Sequence, residues 1–269
     1  MASIKQVLGT LAMIAAATLG TSTAQAQEKS ILAEVMKRGT VRIAVLGSLP
    51  PFSQVLPNGE LEGYDIDIAK RFAADLKVKP EFVVTDIPAR VTSLQTRKVD
   101  LVIADFTRNV ERSATIAFTD PYVVSSLRLM VKADSPAQSV EDLNKEGIRI
   151  ATTRGGTAEK IMPSVMPAMK MVRFNAQADE LNALLTGQVD AMAEDTFYNR
   201  TAISSHEGKL REVEGSLARA EIAIGLPAGD FDWYRVTNLW VNQFNASGEN
   251  AKLFKKWFGF EQPAIQAQY

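Results

Sequence analysis

The chain of 269 residues contains no cysteine and a single histidine. Without cysteine it forms no disulfide bond, performs no thiol chemistry and carries no cysteine-linked lipid anchor. The lone His206 stands between Ser205 and Glu207, which indicates a surface position, and by itself it makes no metal site. The sequence also has no G-x-S-x-G motif and no second histidine that would form a nucleophile–base pair. We therefore predict neither a metal ion nor a cofactor.

An excess of charge of either sign is also missing. The formal net charge is −1, and no basic run or basic–aromatic segment occurs. This balance argues against a nucleic acid or an anionic membrane as a partner. Hydrophobic residues make up 46% of the chain and charged residues 23%, which is the composition of a globular protein with one large domain or two small ones.

One apolar stretch, Val7–Leu19, lies near the N-terminus and is too short to span a bilayer as a helix. Lys5 precedes it, and Ala24-Gln25-Ala26 follows it as a small-residue cleavage site. This order is typical of an export signal over residues 1–26 rather than of a buried helix or a membrane anchor. Removing the signal deletes Lys5 and no acidic residue, so the net charge becomes −2. We predict a secreted protein that is free in the periplasm.

Beyond the signal, short apolar runs rich in β-branched residues alternate with segments of helical periodicity. Strands are predicted at Val41–Leu46, Glu81–Thr85, Asp100–Asp105, Leu127–Lys132, Ile148–Thr152, Met171–Phe174, Asp190–Ala193 and Ile222–Leu226. Helices are predicted at Asp65–Leu76, Pro88–Arg97, Ala178–Leu185, Phe231–Phe244 and Ala251–Trp257, and after Thr157 and Ala193. Such alternation predicts βαβ units and a mostly parallel sheet.

The alternation forms two similar α/β sets, and no linker rich in proline, glycine or serine separates them. We predict two α/β lobes, joined by crossover strands near Leu127–Lys132 and Ile222–Leu226. Ligands of open α/β sheets bind beyond the carboxyl ends of the strands. Two facing lobes therefore place their strand-end loops across a shared cleft, which hinge closure can bury.

The predicted strand ends carry polar residues that suit a free amino acid. Its carboxylate fits an arginine fork with hydroxyl and backbone N–H donors, which Arg112, Thr157 and the Gly155–Thr157 amides provide. Its ammonium fits Asp195, Thr107 and the backbone carbonyl of Asp105. Each residue type also has a common structural use. Arg112 would equally suit a solvated helix face, and Thr157 and Asp195 would equally suit helix N-caps.

The stretch Gly63-Tyr64-Asp65-Ile66-Asp67-Ile68 resembles the signature of the periplasmic polar-amino-acid-binding proteins of ABC transporters, solute-binding protein family 3. Further matches run in family order over nearly the whole chain after the signal. They are Pro51-Phe52, Leu94–Asp100, Thr107 with Val110-Glu111-Arg112, Ala117–Tyr122, Gly155–Glu159, Gly187–Ala191 and Lys256-Trp257-Phe258.

The resemblance implies a type II binding-protein fold in which one lobe is inserted into the other. Lobe 1 would comprise residues 27–130 and 222–269, and lobe 2 residues 131–221. It implies a monomer that binds a free amino acid and delivers it to a membrane permease. It also implies ligand contacts at six positions, which are Asp105 (through its carbonyl), Thr107, Arg112, Gly156, Thr157 and Asp195.

Some positions depart from the family pattern. Leu49 stands where relatives often carry an aromatic residue against the ligand side chain, and Phe52 is either a partial substitute for it or part of the core. Asp105 replaces a small residue. Its side chain either enters the cleft, which would disfavour an acidic ligand and favour a basic or neutral one, or points into a turn. The stretch Asn109-Val110-Glu111-Arg112 resembles the glutamate/aspartate-binding branch of the family, which indicates the opposite preference. Phe72 stands where the signature has an aliphatic residue.

An enzyme is the main alternative, because periplasmic cyclohexadienyl dehydratases look similar. The resemblance places their general acid, a glutamate, near Asn199. An asparagine amide does not donate a proton at a useful pKa. The alternative is therefore disfavoured, although the identity of the amino acid stays open.

Overall fold

The computed structural model of the protein describes residues 30–265. The predicted export signal lies outside this range, so it stays a prediction. Within the range, no helix has both the length and the apolar character needed to cross a membrane.

The helices are α1 (Ile31–Arg38), α2 (Tyr64–Asp75), α3 (Ala89–Gln95), α4 (Val110–Ser113), α5 (Val140–Leu143), α6 (Thr157–Val165), α7 (Gln177–Leu185), α8 (Thr196–Ser205), α9 (Phe231–Ala246) and α10 (Glu249–Phe258). The strands are β1 (Thr40–Leu46), β2 (Ser48–Leu49), β3 (Ser53–Val55), β4 (Leu61–Glu62), β5 (Lys79–Thr85), β6 (Leu101–Val102), β7 (Ile116–Lys132), β8 (Arg149–Thr153), β9 (Lys170–Phe174), β10 (Ala191–Asp195), β11 (Leu210–Glu212) and β12 (Ala218–Pro227).

A nine-stranded sheet runs through the described part of the chain in the order β5-β1-β6-β12-β7-β10-β8-β9, with β11 beside β7. At one end β1 pairs in parallel with β5 and β6, and at the other end β8 pairs in parallel with β9 and β10. Each end is therefore a βαβ arrangement, and the predicted α/β class is confirmed. The sequence analysis missed the small sheet of β2, β3 and β4.

Two long strands, β7 and β12, connect the ends of the sheet. They pair antiparallel from Ala218 opposite Leu127 to Pro227 opposite Ile116. Strand β12 also pairs with β6, while β7 also pairs with β10 and β11. The register shifts on both sides of Ala223, and such irregularities bend strands. The predicted crossovers lie within these strands. The residue boundaries of lobe 1 and lobe 2 stay a prediction, and we keep those names for the ranges given above.

The predicted strand Asp100–Asp105 is shorter in the structure, where it covers Leu101–Val102. Ile103 still donates its N–H to the Ala44 carbonyl, but Asp105 has a φ of +45°. A residue with this left-handed backbone ends the strand and turns the chain toward Thr107. The turn lies where the predicted cleft begins.

The glycine and tyrosine of the family signature fix the start of α2. Gly63 has a φ of +133°, and a Cβ atom there would lie 2.3 Å from the Phe52 carbonyl oxygen. The fully buried Tyr64 donates its hydroxyl to Asn250 Oδ1 at 2.5 Å, which joins α2 to α10. Only glycine fits at the first position, since every other residue has a Cβ.

The unusual Phe72 lies between two tryptophans of α9. Its ring centroid is 5.9 Å from that of Trp233 and 5.1 Å from that of Trp240, and both contacts are edge-to-face. Phe72 and Trp233 have no exposed surface. An aromatic ring at position 72 therefore fills the interface between α2 and α9 with favourable aromatic geometry.

One carboxylate binds the N-termini of two helices. Asp230 Oδ1 accepts the N–H of Trp233 at 2.9 Å, and Oδ2 accepts the N–H of Ile31 at 2.5 Å.

We expect Asp230→Ala to lower the free energy of unfolding by about 2 kcal/mol, because α9 and α1 both lose a cap. Urea denaturation measures the change. The matched control Asp232→Ala removes an exposed carboxylate of the same first turn, with its pair to Arg235, but no cap. Equal losses in the two variants would contradict the double cap.

Candidate functional site

A cavity of about 30 Å³ lies beyond the carboxyl ends of β5, β6, β8, β9 and β10, where lobe 1 faces lobe 2. This volume is too small for an amino acid, and Arg112 donates to the Gly155 carbonyl across the cleft, so the cleft is closed in this structure. Larger grooves lie elsewhere on the surface, but this cavity is lined by two buried ionisable residues, Arg90 and Asp195. Five of the predicted site residues line it, and they are Asp105, Thr107, Gly156, Thr157 and Asp195.

Arg112 lies behind the cavity wall and bridges the two lobes. Helix α4 is capped by Asn109, whose Oδ1 accepts the Arg112 N–H at 2.8 Å. The guanidinium donates to the Thr107 carbonyl at 2.5 Å, to the Gly155 carbonyl at 2.8 Å and toward Thr157 Oγ1 at 3.5 Å. Burial lowers the Arg112 pKa to about 9, with a further contribution from Arg90, so the group is still charged at neutral pH.

Both glycines of the Gly155-Gly156-Thr157 loop are needed, because neighbouring backbone atoms lie too close for a Cβ atom. Gly155 has a φ of +71°, and a Cβ there would lie 3.0 Å from Pro88 Cα in lobe 1. At Gly156 a Cβ would lie 2.8 Å from the Thr153 carbonyl oxygen. The predicted amide donors are partly occupied, because the Gly155 N–H donates to Glu159 and the Gly156 N–H to the Thr153 carbonyl. Thr157 is the first residue of α6 and is not an N-cap.

Asp195 is the helix N-cap that its residue type suggested, and the ammonium contact stays a prediction. It caps α8, because its Oδ1 accepts the N–H groups of Phe197 and Tyr198 at 2.7 and 3.2 Å. The same oxygen accepts the Ser125 hydroxyl at 3.3 Å. The other oxygen, Oδ2, is buried and has no hydrogen-bond partner among the described residues. Burial raises the Asp195 pKa to about 6, so this carboxylate suits an incoming cation.

The turn at Asp105 is held by its own backbone groups. Its N–H donates to Asp65 Oδ2 at 2.8 Å, and its carbonyl accepts from Arg90 Nη1 at 2.8 Å. The carbonyl predicted to meet the ligand is therefore already in one hydrogen bond. Burial, with the nearby charge of Asp195, raises the pKa of the Asp105 carboxyl well above its usual range. An Asp195 charge from lobe 2 acts on this carboxyl, which favours the alternative in which the side chain faces the cleft.

Arg90 is a site residue that the sequence analysis missed. It lines the cavity from α3, although its side chain is almost fully buried. The missed signal is an arginine on the apolar face of a helix, three residues after Ile87 and four before Leu94. A buried arginine requires acceptors, and Arg90 finds them in backbone carbonyls and acidic neighbours.

Glu194 also lines the cavity, from the end of β10. Burial raises its pKa well above the usual range, and the charge of Glu180 raises it further, while a hydrogen bond from Gln177 opposes these effects. Gln177, at the start of α7, is a cavity-lining residue that the sequence analysis did not identify.

Leu49 and Phe52 do not line this cavity. Both are fully buried, and the Phe52 ring packs against Phe197 at 6.2 Å and Phe258 at 5.2 Å between centroids. Of the two alternatives for Phe52, the structure therefore places it in the core. Leu49 ends the short strand β2 and is also a core residue here.

Asn199 and His206 lie on α8 and at its end. The fully buried Asn199 donates its amide to Glu212 Oε1 at 3.0 Å, and it is not among the residues that line the cavity. His206 Nδ1 lies 2.9 Å from the Ala202 carbonyl oxygen. Within residues 30–265, no three histidine, cysteine or acidic side chains are grouped so that they would hold a metal ion.

The family model of the bacterial extracellular solute-binding proteins, family 3, matches residues 41–260. The chain belongs to this family. The L-cystine-binding protein TcyJ of Escherichia coli is 24% identical over 92% of this chain and 93% of its own length. The L-arginine-binding protein of Pseudomonas aeruginosa is 25% identical over 82% of this chain and 88% of its own length.

Among solved structures, the chain is similar to the ancestral amino acid-binding protein AncCDT-1, described as a precursor of cyclohexadienyl dehydratase. The two are 32% identical with a TM-score of 0.80, over 85% of this chain and 100% of that one. These neighbours are type II periplasmic binding proteins, so the predicted two-lobe α/β fold is confirmed for this family member.

Glu180 lies behind the cavity on α7 and makes stability depend on pH. It accepts a hydrogen bond from the Thr153 hydroxyl, its Oε2 is unpartnered among the described residues, and burial raises its pKa to about 8. The folded protein therefore keeps a proton that the unfolded chain releases above about pH 4.5. The unfolding free energy should fall as pH rises from about 4.5 to 8, by at most about 1.4 kcal/mol per pH unit from this group.

We expect Glu180→Gln to make this pH dependence shallower, because the group no longer titrates. Urea denaturation of the ligand-free protein at several pH values measures the slope. The exposed neighbour Asp179 supplies the control, since Asp179→Asn should leave the slope as it is. Identical slopes in wild type and Glu180→Gln would contradict the assignment.

Proposed function

We propose that this protein is a periplasmic receptor that binds a free α-amino acid between lobe 1 and lobe 2 and delivers it to an ABC transporter permease. The observation that carries the proposal is the pairing, around one cavity, of a buried guanidinium and a buried carboxylate with an unused oxygen. These are Arg112 and Asp195. They are complementary to the two charges that every free amino acid carries.

The carboxylate end of the ligand fits the Arg112 side of the cleft. A guanidinium binds a carboxylate through two parallel hydrogen bonds, and the Thr157 hydroxyl lies 3.5 Å from the same guanidinium. In the closed cleft Arg112 donates to the carbonyls of Thr107 and Gly155 instead. A ligand carboxylate would take the place of the Gly155 carbonyl, which lies in lobe 2, once the cleft has widened.

The ammonium end fits the Asp195 side. Its Oδ2 has no hydrogen-bond partner within residues 30–265, because capping of α8 uses Oδ1. Thr107 lines the cavity and adds a hydroxyl acceptor from lobe 1. Contacts from both lobes make the bound closed form more stable than the open one, and a transporter could select that form by its shape.

The location and partners follow from the family and from the predicted export signal. We propose a monomer in the periplasm that carries the amino acid to a permease. The names of the cystine- and arginine-binding relatives support an amino acid as ligand without fixing its side chain.

Dehydratase activity is not part of the proposal, although AncCDT-1 is described as a precursor of such an enzyme. Dehydration needs a proton donor at the leaving hydroxyl. At the position where the resemblance places that donor, the amide of Asn199 faces Glu212 and is not an acid. Turnover of prephenate or arogenate by the purified protein would overturn this choice.

The first test is a thermal-shift screen of the twenty amino acids against protein stripped of ligand, because a specific ligand raises the melting temperature by mass action. Calorimetric titration of that ligand then compares Arg112→Ala with wild type. We expect the variant to lose about 2–5 kcal/mol of binding free energy, since a buried charged contact is removed.

The control for Arg112 is Arg154→Ala, which removes an exposed arginine from the loop that precedes Gly155. It should bind with nearly wild-type affinity. Unchanged affinity in Arg112→Ala would refute the carboxylate site, and a screen without any shift would refute the receptor itself.

The two roles of Asp195 can be separated by substitution. Serine is as good an N-cap as aspartate but offers no charge, so Asp195→Ser should keep most of the stability and weaken binding by about 2 kcal/mol or more. Asp195→Ala should lose the same affinity and also about 1 kcal/mol of stability. Titration and urea denaturation measure the two quantities. Wild-type affinity in Asp195→Ser would rule out the ammonium contact.

A further inference from the structure

The cavity contains ionisable groups beyond those that the two charges of a free amino acid require. Once Asp195 is assigned to the ammonium, the ionisable side chains lining the cavity are Arg90, Asp105 and Glu194. One cation and two acids leave a net formal charge of minus one at the end of the cavity available to the ligand side chain. An uncompensated buried charge is costly, so this end of the site requires a further positive group or a proton.

The charge of Arg90 is already largely engaged by the protein. Its Nε donates to the Ile87 carbonyl at 3.1 Å, and its Nη1 donates to the carbonyls of Ala104 and Asp105 at 2.9 and 2.8 Å. Two of its five N–H groups thus hold the turn at Asp105, and a third binds the segment after β5. The guanidinium also lies 4.6 Å from the centre of the Phe106 ring. The positive charge of Arg90 therefore compensates the negative charge of one of the two acids. Its guanidinium does not offer two parallel hydrogen bonds to an anionic ligand.

The two acids approach the cavity from opposite sides. Asp105 follows β6 in lobe 1, and Glu194 lies at the end of β10 in lobe 2. A group held between them would therefore contact both lobes. The proposed Arg112 and Asp195 contacts would bind the backbone part of the ligand, so the ligand side chain is the part that would lie between Asp105 and Glu194.

We infer that Asp105 and Glu194 form a cation subsite that receives the ammonium or guanidinium at the side-chain end of a basic amino acid. This inference rests on the proposed function and specifies its substrate class. With such a ligand every charge at the site is matched. Arg112 and Asp195 pair with the ligand backbone, and Arg90 and the ligand side chain balance the two acids. A neutral side chain leaves one negative charge unmatched, and an acidic side chain leaves two.

A proton fills the place of the cation when the cleft is empty. Burial raises the pKa of both carboxyls well above the usual range. The charged and titratable groups packed around them are Asp65, Arg90, Arg112, Tyr122, Glu180, Asp195 and Tyr198. These include more acids than cations, so the surroundings favour protonation. When a cation binds, the carboxyl O–H bond breaks, the carboxylate pairs with the ligand, and the proton passes to solvent.

The matched ligands L-arginine and L-citrulline test the subsite, because they have similar shapes and differ in side-chain charge. We expect wild-type protein to bind L-arginine at least about tenfold more tightly than L-citrulline at pH 7. Titration of L-arginine in Tris and in phosphate at one pH should give different heats, since the buffer takes up the released proton. L-citrulline should give the same heat in both buffers after correction for dilution.

Asp105→Asn and Glu194→Gln should each reduce the preference for L-arginine and the proton release. Asparagine tolerates the positive φ of residue 105, and Glu194→Gln provides a second variant if the first does not fold. The exposed Glu207→Gln is the control and should keep both properties. An unchanged preference in both folded cleft variants would overturn the subsite.

The outcomes separate the subsite from the proposed function. Equal or weaker binding of L-arginine than of L-citrulline, or tighter binding of L-glutamate, would overturn the cation subsite and leave an amino acid receptor. Failure of every amino acid to bind would overturn the proposed function, and the subsite with it. Preference for L-arginine with proton release in wild type, lost in the cleft variants, supports both.

Discussion

The carboxylate of Asp65 holds the cleft side of lobe 1 in place. It accepts the Asp105 N–H through one oxygen and the Tyr122 hydroxyl through the other, both at 2.8 Å. Helix α2, the turn after β6 and the long strand β7 therefore meet at one fully buried group. Burial raises the pKa of the Asp65 carboxyl to about 7, because the charged form is disfavoured away from water. The positions of Arg90, Thr107 and Arg112 all depend on this turn, so the family signature acts on the site from a distance.

The sequence predicted the parts of the molecule that repeat a local pattern. Helix α2 and strand β1 were placed within a residue of their ends because apolar periodicity and burial coincide there. The length of β7 was not predictable in this way, since Asp120-Pro121 is a local signal for a turn. Proline is tolerated at this point because β7 and β12 lose regular register close to it, opposite Ala223.

In the candidate site, too, the residues marked by a local sequence pattern were predictable and the others were not. Residues that follow or end strands, such as Arg112 and Asp195, were identifiable, because strand-end polar groups and a family motif both indicate them. Arg90 was not, since its periodicity is that of a core residue and only the tertiary structure supplies its carbonyl acceptors.

The aromatic contact of Phe197 links binding strength to a surface remote from the ligand. Phe197 follows Asp195 by two residues, and its ring packs against lobe 1 at Phe258 and Phe254, 5.0 and 5.3 Å between centroids. These rings belong to a contact between lobe 1 and lobe 2 in this structure. In the proposed receptor, their packing would add to the stability of every closed complex, whichever amino acid it contained. Substitution at these rings would therefore change the affinity for all ligands together and leave the preference among them as it is.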